Sequence, residues 1–384
     1  MKETIKSKSV FKVCIIFILI VFTVFILSRY LIDEEFRSYI DSNILKKELS
    51  EINVNTIELN SDSNEYIYAY DKYITVLSKN SLSSYTKQGD VESKLDVNIS
   101  IPLVDSNSKY MVLAEKNGKK IYLISGQNII WENDIEGEIS RVSVNENGYV
   151  SIVIKNTTYK SVVVVFNPEG TELFRTYLST NYAVCVDISN NNKYLAIGEV
   201  NYSGTIVKSF VKVMSIEKAQ TDPDNSIEYT YESEASDIII DVNYQNKDEV
   251  VCLFNDYIQK VTNKDNARLY DITSDDIFAE INLESNIAIV NKQSSGLFSY
   301  EYKMDIKDTN SKSENLYILK NDVPKTIMAS GNKIAICLGN EVEIINSDGW
   351  LIKKYKSNRQ SKGIVLGDSI AGIIYKNKIE IIEL

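Results

Sequence analysis

Aspartate, glutamate, tyrosine and lysine are the side chains this sequence offers for chemistry. Histidine is absent, which removes Ser-His-Asp and Cys-His nucleophile activation, H-E-x-x-H zinc sites and imidazole base chemistry together. The densest carboxylate cluster, Asp222-Pro223-Asp224-Asn225, lacks the alternating ligands, central glycine and terminal glutamate of a calcium loop and reads as a polar turn. Asp275-Asp276 and Asp305-Ile306-Lys307-Asp308 read the same way. A glycosidase-like carboxylate pair would have to be assembled from distant segments. The 25 tyrosines offer rings for stacking on a sugar or peptide, although tyrosine is equally a strand residue whose hydroxyl reaches solvent at a rim. The sequence therefore assigns no catalytic, cofactor-binding or metal-ligating residue, and no cofactor.

The four cysteines, Cys14, Cys185, Cys252 and Cys337, are far apart and form no C-x-x-C pair. The last three lie in apolar runs, where a free thiol behaves as a small buried hydrophobe. The formal charge is −11. Residues 1–32 hold five basic side chains against one acidic, which leaves about −15 on the remainder. That sign, without a Lys/Arg block, argues against a nucleic-acid partner.

The elements that must position these groups begin with an apolar run. Residues 13–27 are uncharged, and Val10 to Ile32, with Lys12 and Arg29 able to snorkel, exceeds the ~20 residues a helix needs to cross a bilayer. Ser28-Arg29-Tyr30-Leu31-Ile32 stands where a signal peptidase would need small residues, so residues 13–32 are expected to be an uncleaved signal anchor into the cytoplasmic membrane. Lys2, Lys6, Lys8 and Lys12 precede the run, which predicts a cytoplasmic tail over 1–12 and a C-terminal domain outside the cell membrane. Phe36, Ile40, Ile44, Leu45, Leu49 and Ile52 then recur at mostly helical spacing, giving an expected juxtamembrane stalk over 33–53.

From Val54 the pattern changes to short β-branched and aromatic runs separated by Asn, Asp, Gly, Ser and Lys turns. One turn recurs as Thr86-Lys87-Gln88-Gly89, Asn167-Pro168-Glu169-Gly170 and Asn346-Ser347-Asp348-Gly349, at offsets of 81 and 179 residues. Those offsets suit two and about four blades of the ~40–50 residues a four-stranded propeller repeat uses. Ser203-Gly204 and Ser295-Gly296 recur as links from an apolar strand to a long one ending near Met214 or Met304. The marks cut the chain into sets beginning near Tyr66, Asn98, Glu138, Tyr182, Ser236, Ile277, Val323 and Ser361. The last set has three strands, and Thr56-Ile57-Glu58-Leu59-Asn60 is the unclaimed strand that would close the ring. The expected fold is an all-β propeller of four-stranded blades over 54–384, eight blades with seven as the alternative, behind one transmembrane helix.

The hairpin Val165-Phe166-Asn167-Pro168-Glu169-Gly170-Thr171-Glu172-Leu173-Phe174 resembles the outer hairpin of quinoprotein-like propellers, with Phe174 where that family often has a docking tryptophan. The whole plan resembles an uncharacterised family of membrane-anchored, single-pass propeller proteins of low-GC Gram-positive bacteria, which carries no established activity. Quinone enzymes of the fold use a vicinal disulfide, and this chain has no adjacent cysteines. Trp131 and Trp350 follow outer hairpin positions and are expected as core rings between blades.

The expected function is a non-enzymatic binding or scaffold module, displayed outside the membrane, for an envelope protein or cell-wall polymer. The connections 216–228 and 306–315 are its candidate surfaces. The alternative is an extracellular carbohydrate-active or lyase-type enzyme using channel carboxylates.

Overall fold

The computed structural model describes residues 2–44, 54–60, 65–245, 249–296, 299–311, 313–320 and 323–384. Eight antiparallel four-stranded sheets follow one another around a ring. The strands Tyr66–Tyr70, Pro102–Ser106, Glu138–Val144, Tyr182–Ile188, Ile239–Tyr244, Asp276–Glu280, Thr326–Ser330 and Gly363–Leu366 open blades 1 to 8 and line the axis. Eight blades are thus present, not seven. The strand Asn55–Glu58 pairs with Lys378–Glu383 as the fourth strand of blade 8, so the chain's two ends complete one sheet. Ile57, Ile379 and Ile381 of that sheet pack with Ile74 and Val76 of blade 1. Burying each such side chain contributes roughly 1.5–3 kcal/mol, and the closure leaves blade 1 no exposed neighbouring face.

Strand order assigns every connection to one of two faces. Links between first and second strands and between third and fourth strands open on one side, here the turn face. Links between second and third strands and between successive blades open on the other, the hairpin face. The three recurrent turns are third-to-fourth links of blades 1, 3 and 7, two and four blades apart. In each, the glycine N–H bonds the carbonyl three residues back, at 2.9–3.0 Å from Thr86, Asn167 and Asn346. Gly170 has φ +81° and rests on the Trp131 ring of blade 2, where a Cβ would come within 2.6 Å of Cγ. The same seam is bonded by side-chain amides of the preceding blade: Asn55 to Lys87 O, Asn133 to Gly170 O and Asn315 to Ser347 O, at 2.8, 3.1 and 3.1 Å.

Helix α1 covers Lys2–Ile32, and its stretch Ile15–Ile32, with mean hydropathy 2.7 and no part buried, is long and apolar enough to cross a membrane. A signal sequence has the same character. The helix does not run straight on. At Asp33 the backbone turns to an extended conformation, and the Asp33 carboxylate caps α2, Glu34–Tyr39, by accepting from Phe36 N at 3.0 Å. Arg37 donates to the carbonyls of Tyr30 and Leu31, and the Tyr30 hydroxyl donates to Asp41, which fixes the bend. A short π-helical turn, Ile40–Ile44, follows. Helix α2 then lies against the outer strand of blade 7. Tyr39 and Phe36 stand 4.9 and 6.4 Å from the Trp350 ring. Trp350 is therefore not a ring between blades, as its position in the outer hairpin suggests. It is the seat of the juxtamembrane helix, whereas Trp131 does dock between blades. The stalk positions Leu45, Leu49 and Ile52 lie outside the described residues.

Candidate functional site

One arc of the ring departs from a straight inner wall. The inner strands of blades 3, 4, 5 and 6 each carry a register shift against their neighbour, between Ile139 and Arg141, Ala183 and Cys185, Ile239 and Asp241, and Asp276 and Phe278. The inner strands of blades 7, 8, 1 and 2 pair without one. A bulge leaves one residue unpaired and re-aims its neighbours. Here the extra residues bring Arg141, Val142, Val184, Val186, Ile240 and Asp241 around a cavity of about 270 Å³, at the hairpin-face end of the channel. Arg141 holds the bulges in place: its Nε donates to Val184 O at 3.0 Å and its Nη1 to Ser140 O at 2.9 Å.

Further along the inner strands lie residues that pair with the second or third position of their blade's second strand. In blades 2 to 6 they are Asp105, Ser143, Asp187, Asn243 and Glu280; in blades 7, 8 and 1 they are Met328, Leu366 and Tyr68. The polar set clasps blade to blade. Asp105 Oδ2 accepts from Val144 N at 2.8 Å, Ser143 Oγ donates to Asp187 Oδ1 at 3.0 Å, Asp187 Oδ2 accepts from Tyr244 N at 2.7 Å, and Asn243 Nδ2 donates to Ile281 O at 2.8 Å. These bonds satisfy main-chain groups facing the channel.

The carboxylates pay in protonation. Withdrawal from solvent pushes Asp105 up to about 6 and, with Asp105 repelling it, Asp187 to about 7. Asp241 is raised to about 6 by the same desolvation, with repulsion from Asp105 and Glu280 added and Arg141 offsetting part. Desolvation also raises Glu280. The arc thus holds acids able to exchange protons near neutrality, one guanidinium and apolar walls. Among the described residues no group of three His, Cys, Asp or Glu side chains is placed to hold a metal ion.

Of the carboxylates singled out in the sequence, Asp276 opens the inner strand of blade 6, and several are engaged locally. Asp222 accepts from the Asn225 side chain at 2.8 Å, Asp276 from Thr273 N at 2.7 Å and Tyr270 Oη at 2.9 Å, Asp305 from Asn291 at 2.6 Å, and Asp308 from Asn310 N at 2.8 Å. The candidate connections 216–228 and 306–315 both sit on the turn face. The first contains the short helix α3, Ile216–Ala219, with Ile216 and Ala219 buried, and the second joins the end of one strand to the start of the next, with Thr309 buried. Cys185, Cys252 and Cys337 are buried free thiols, as read.

The sequence profile of DUF5711, a family of unknown function, matches residues 46–384. The chain belongs to the DUF5711 family. No curated protein matches it in sequence. In structure, this DUF5711 chain is similar to the C-terminal WD40 domain of Sif2 (TM-score 0.55, 10% identity, 88% of this chain and 99% of that one). It is similar also to Sqt1 from Chaetomium thermophilum (TM-score 0.54, 11% identity, 88% and 100%) and to BamB from Moraxella catarrhalis (TM-score 0.51, 9% identity, 88% and 100%). At such identities the likeness concerns the fold alone. The channel arc of this DUF5711 protein has a sequence signal that the strand pattern alone does not isolate: Val104-Asp105, Val142-Ser143, Val186-Asp187 and Val242-Asn243 repeat an apolar-polar pair once per blade.

Proposed function

We propose that this protein is a membrane-tethered propeller that binds an envelope partner on its hairpin face, at the mouth of the channel arc formed by blades 3 to 5. The observation that carries the reading is the division of the ring into two sides. The anchor helix bends onto Trp350, in a turn-face link of blade 7, and the chain enters the closing strand at Asn55 from that same face. The bulges, the Arg141 cavity and the extended hairpin of blade 4, Tyr194–Asn201 with Lys208–Ser215, lie on the other face. A tether on one side and irregular backbone on the other is the layout of a presented binding surface. The junction bonds of Tyr30, Arg37 and Asp41 tie the apolar helix to α2, which packs on Trp350 and supports an uncleaved anchor; the lysines ahead of the apolar run favour residues 1–12 inside and the domain outside.

The enzyme alternative draws support from the raised pKa values of Asp105, Asp187 and Asp241. Against it, Asp105 and Asp187 are occupied by main-chain N–H donors that tie blades together. Photo-crosslinking from native membranes tests the reading. A crosslinker at position 141 should trap a partner that one at Asp348 does not. Trapping from Asp348 alone, or from neither, would contradict it.

A further inference from the structure

We propose that a tyrosine platform on the hairpin face of blades 3 and 4 binds a glycan chain through its pyranose rings. This rests on the reading of that face as the binding side and gives its partner a chemical class. Tyr159 and Tyr177 lie 4.7 Å apart between centroids with planes tilted by 43°, and Tyr182 and Tyr202 stack at 4.8 Å with planes 12° apart. Lys160, next to Tyr159, places its Nζ 5.0 Å from the Tyr182 ring and so joins the two pairs. Tyr159, Tyr177 and Tyr202 are 38%, 47% and 56% exposed. Four rings held together at the surface form an unusual apolar patch, since aromatic side chains gain most by burial.

The platform is built rather than incidental. Asn181 and Asn201 immediately precede Tyr182 and Tyr202. Asn201 Nδ2 donates to Asn181 Oδ1 at 2.9 Å, and Asn181 Nδ2 donates to Glu199 Oε2 at 2.8 Å. The Glu199 side chain is 1% exposed and takes Lys212 on its other oxygen at 2.6 Å. Burying an ion pair is a poor source of stability; this one fixes the backbone from which the half-buried Tyr182 and the exposed Tyr202 rings project. Because Glu199 and Lys212 neutralise each other and Lys160 is engaged over a ring, the platform offers stacking faces, amides and hydroxyls with little net charge. A pyranose matches that chemistry, with C–H faces for the rings and equatorial hydroxyls for the polar rim. A charged peptide does not.

The test uses the full-length protein in lipid nanodiscs, titrated calorimetrically with chitohexaose, cellohexaose and maltohexaose. At least one should bind, and Tyr177→Ala and Tyr202→Ala should each weaken it about tenfold or more. Tyr300→Ala, which removes a ring 50% exposed on blade 6, should leave it unchanged. No binding of any of the three at millimolar concentration, or equal binding by all variants, overturns the platform. A negative titration beside a partner trapped from position 141 would sink the glycan and leave the binding module standing; failure of both experiments would sink both.

Discussion

Two arcs of the ring solve the same problem differently. Blades 7, 8 and 1 carry Met328, Leu366 and Tyr68 on their inner strands, and the closure is apolar, with Ile57, Ile74, Ile379 and Ile381 packed in one cluster. Blades 2 to 6 meet through Asp105, Ser143, Asp187 and Asn243, each bonded across to the next blade, and four of those five blades carry a bulge. Apolar packing is enough to hold a propeller together, as the closing arc demonstrates. The polar arc therefore does something packing does not: it keeps a bulged wall in one geometry, at the cost of desolvating carboxylates.

The largest effect is expected on the apolar side. Ile379→Ala removes a fully buried side chain from the closing sheet and should lower stability by about 2–5 kcal/mol, read as a fall in Tm. On the polar side, Asp187→Ala orphans Tyr244 N and the Ser143 hydroxyl and should cost about 1–3 kcal/mol. Its pH dependence sharpens the contrast. Asp105, Asp187 and Asp241 hold protons more tightly when folded than the ordinary value of about 3.9, so the stability they contribute is complete below about pH 4 and lost as pH rises through about 6 to 7. Wild-type Tm should fall across that window, the slope should flatten in Asp187→Ala, and Ile379→Ala should keep the wild-type slope. A parallel slope in Asp187→Ala would remove the polar arc from the account.

Smaller effects follow at the margins of the two arcs. Trp350→Ala should leave the melting of the ring nearly unchanged and expose residues 34–44 to protease, because the ring it removes seats α2 and not a blade. Arg141→Ala removes the bonds to Val184 O and Ser140 O and should lower stability by about 0.5–1.5 kcal/mol, read as a small fall in Tm.

Most of the ring was legible in the sequence because its marks are local. A turn that needs a glycine at positive φ writes itself into four residues, and the three such turns gave blade spacings of two and four that the sheets reproduce. The closing strand was legible through the missing fourth strand of blade 8. The channel arc was not, since its bonds join residues 39 to 57 positions apart and a bulge depends on a partner strand's register rather than on a residue type. Trp350 misled for a related reason. A ring in an outer hairpin normally finds the next blade, but here a segment more than 300 residues earlier in the chain reaches it first.

Headgroup quenching in nanodiscs tests the two-sided layout of the ring. Single cysteines at Asp348 on the turn face and Thr157 on the hairpin face, both exposed, would be labelled with a fluorophore in membranes carrying headgroup quenchers. Strong quenching is expected at position 348 and little at 157. Equal quenching at both, or stronger quenching at 157, would contradict it.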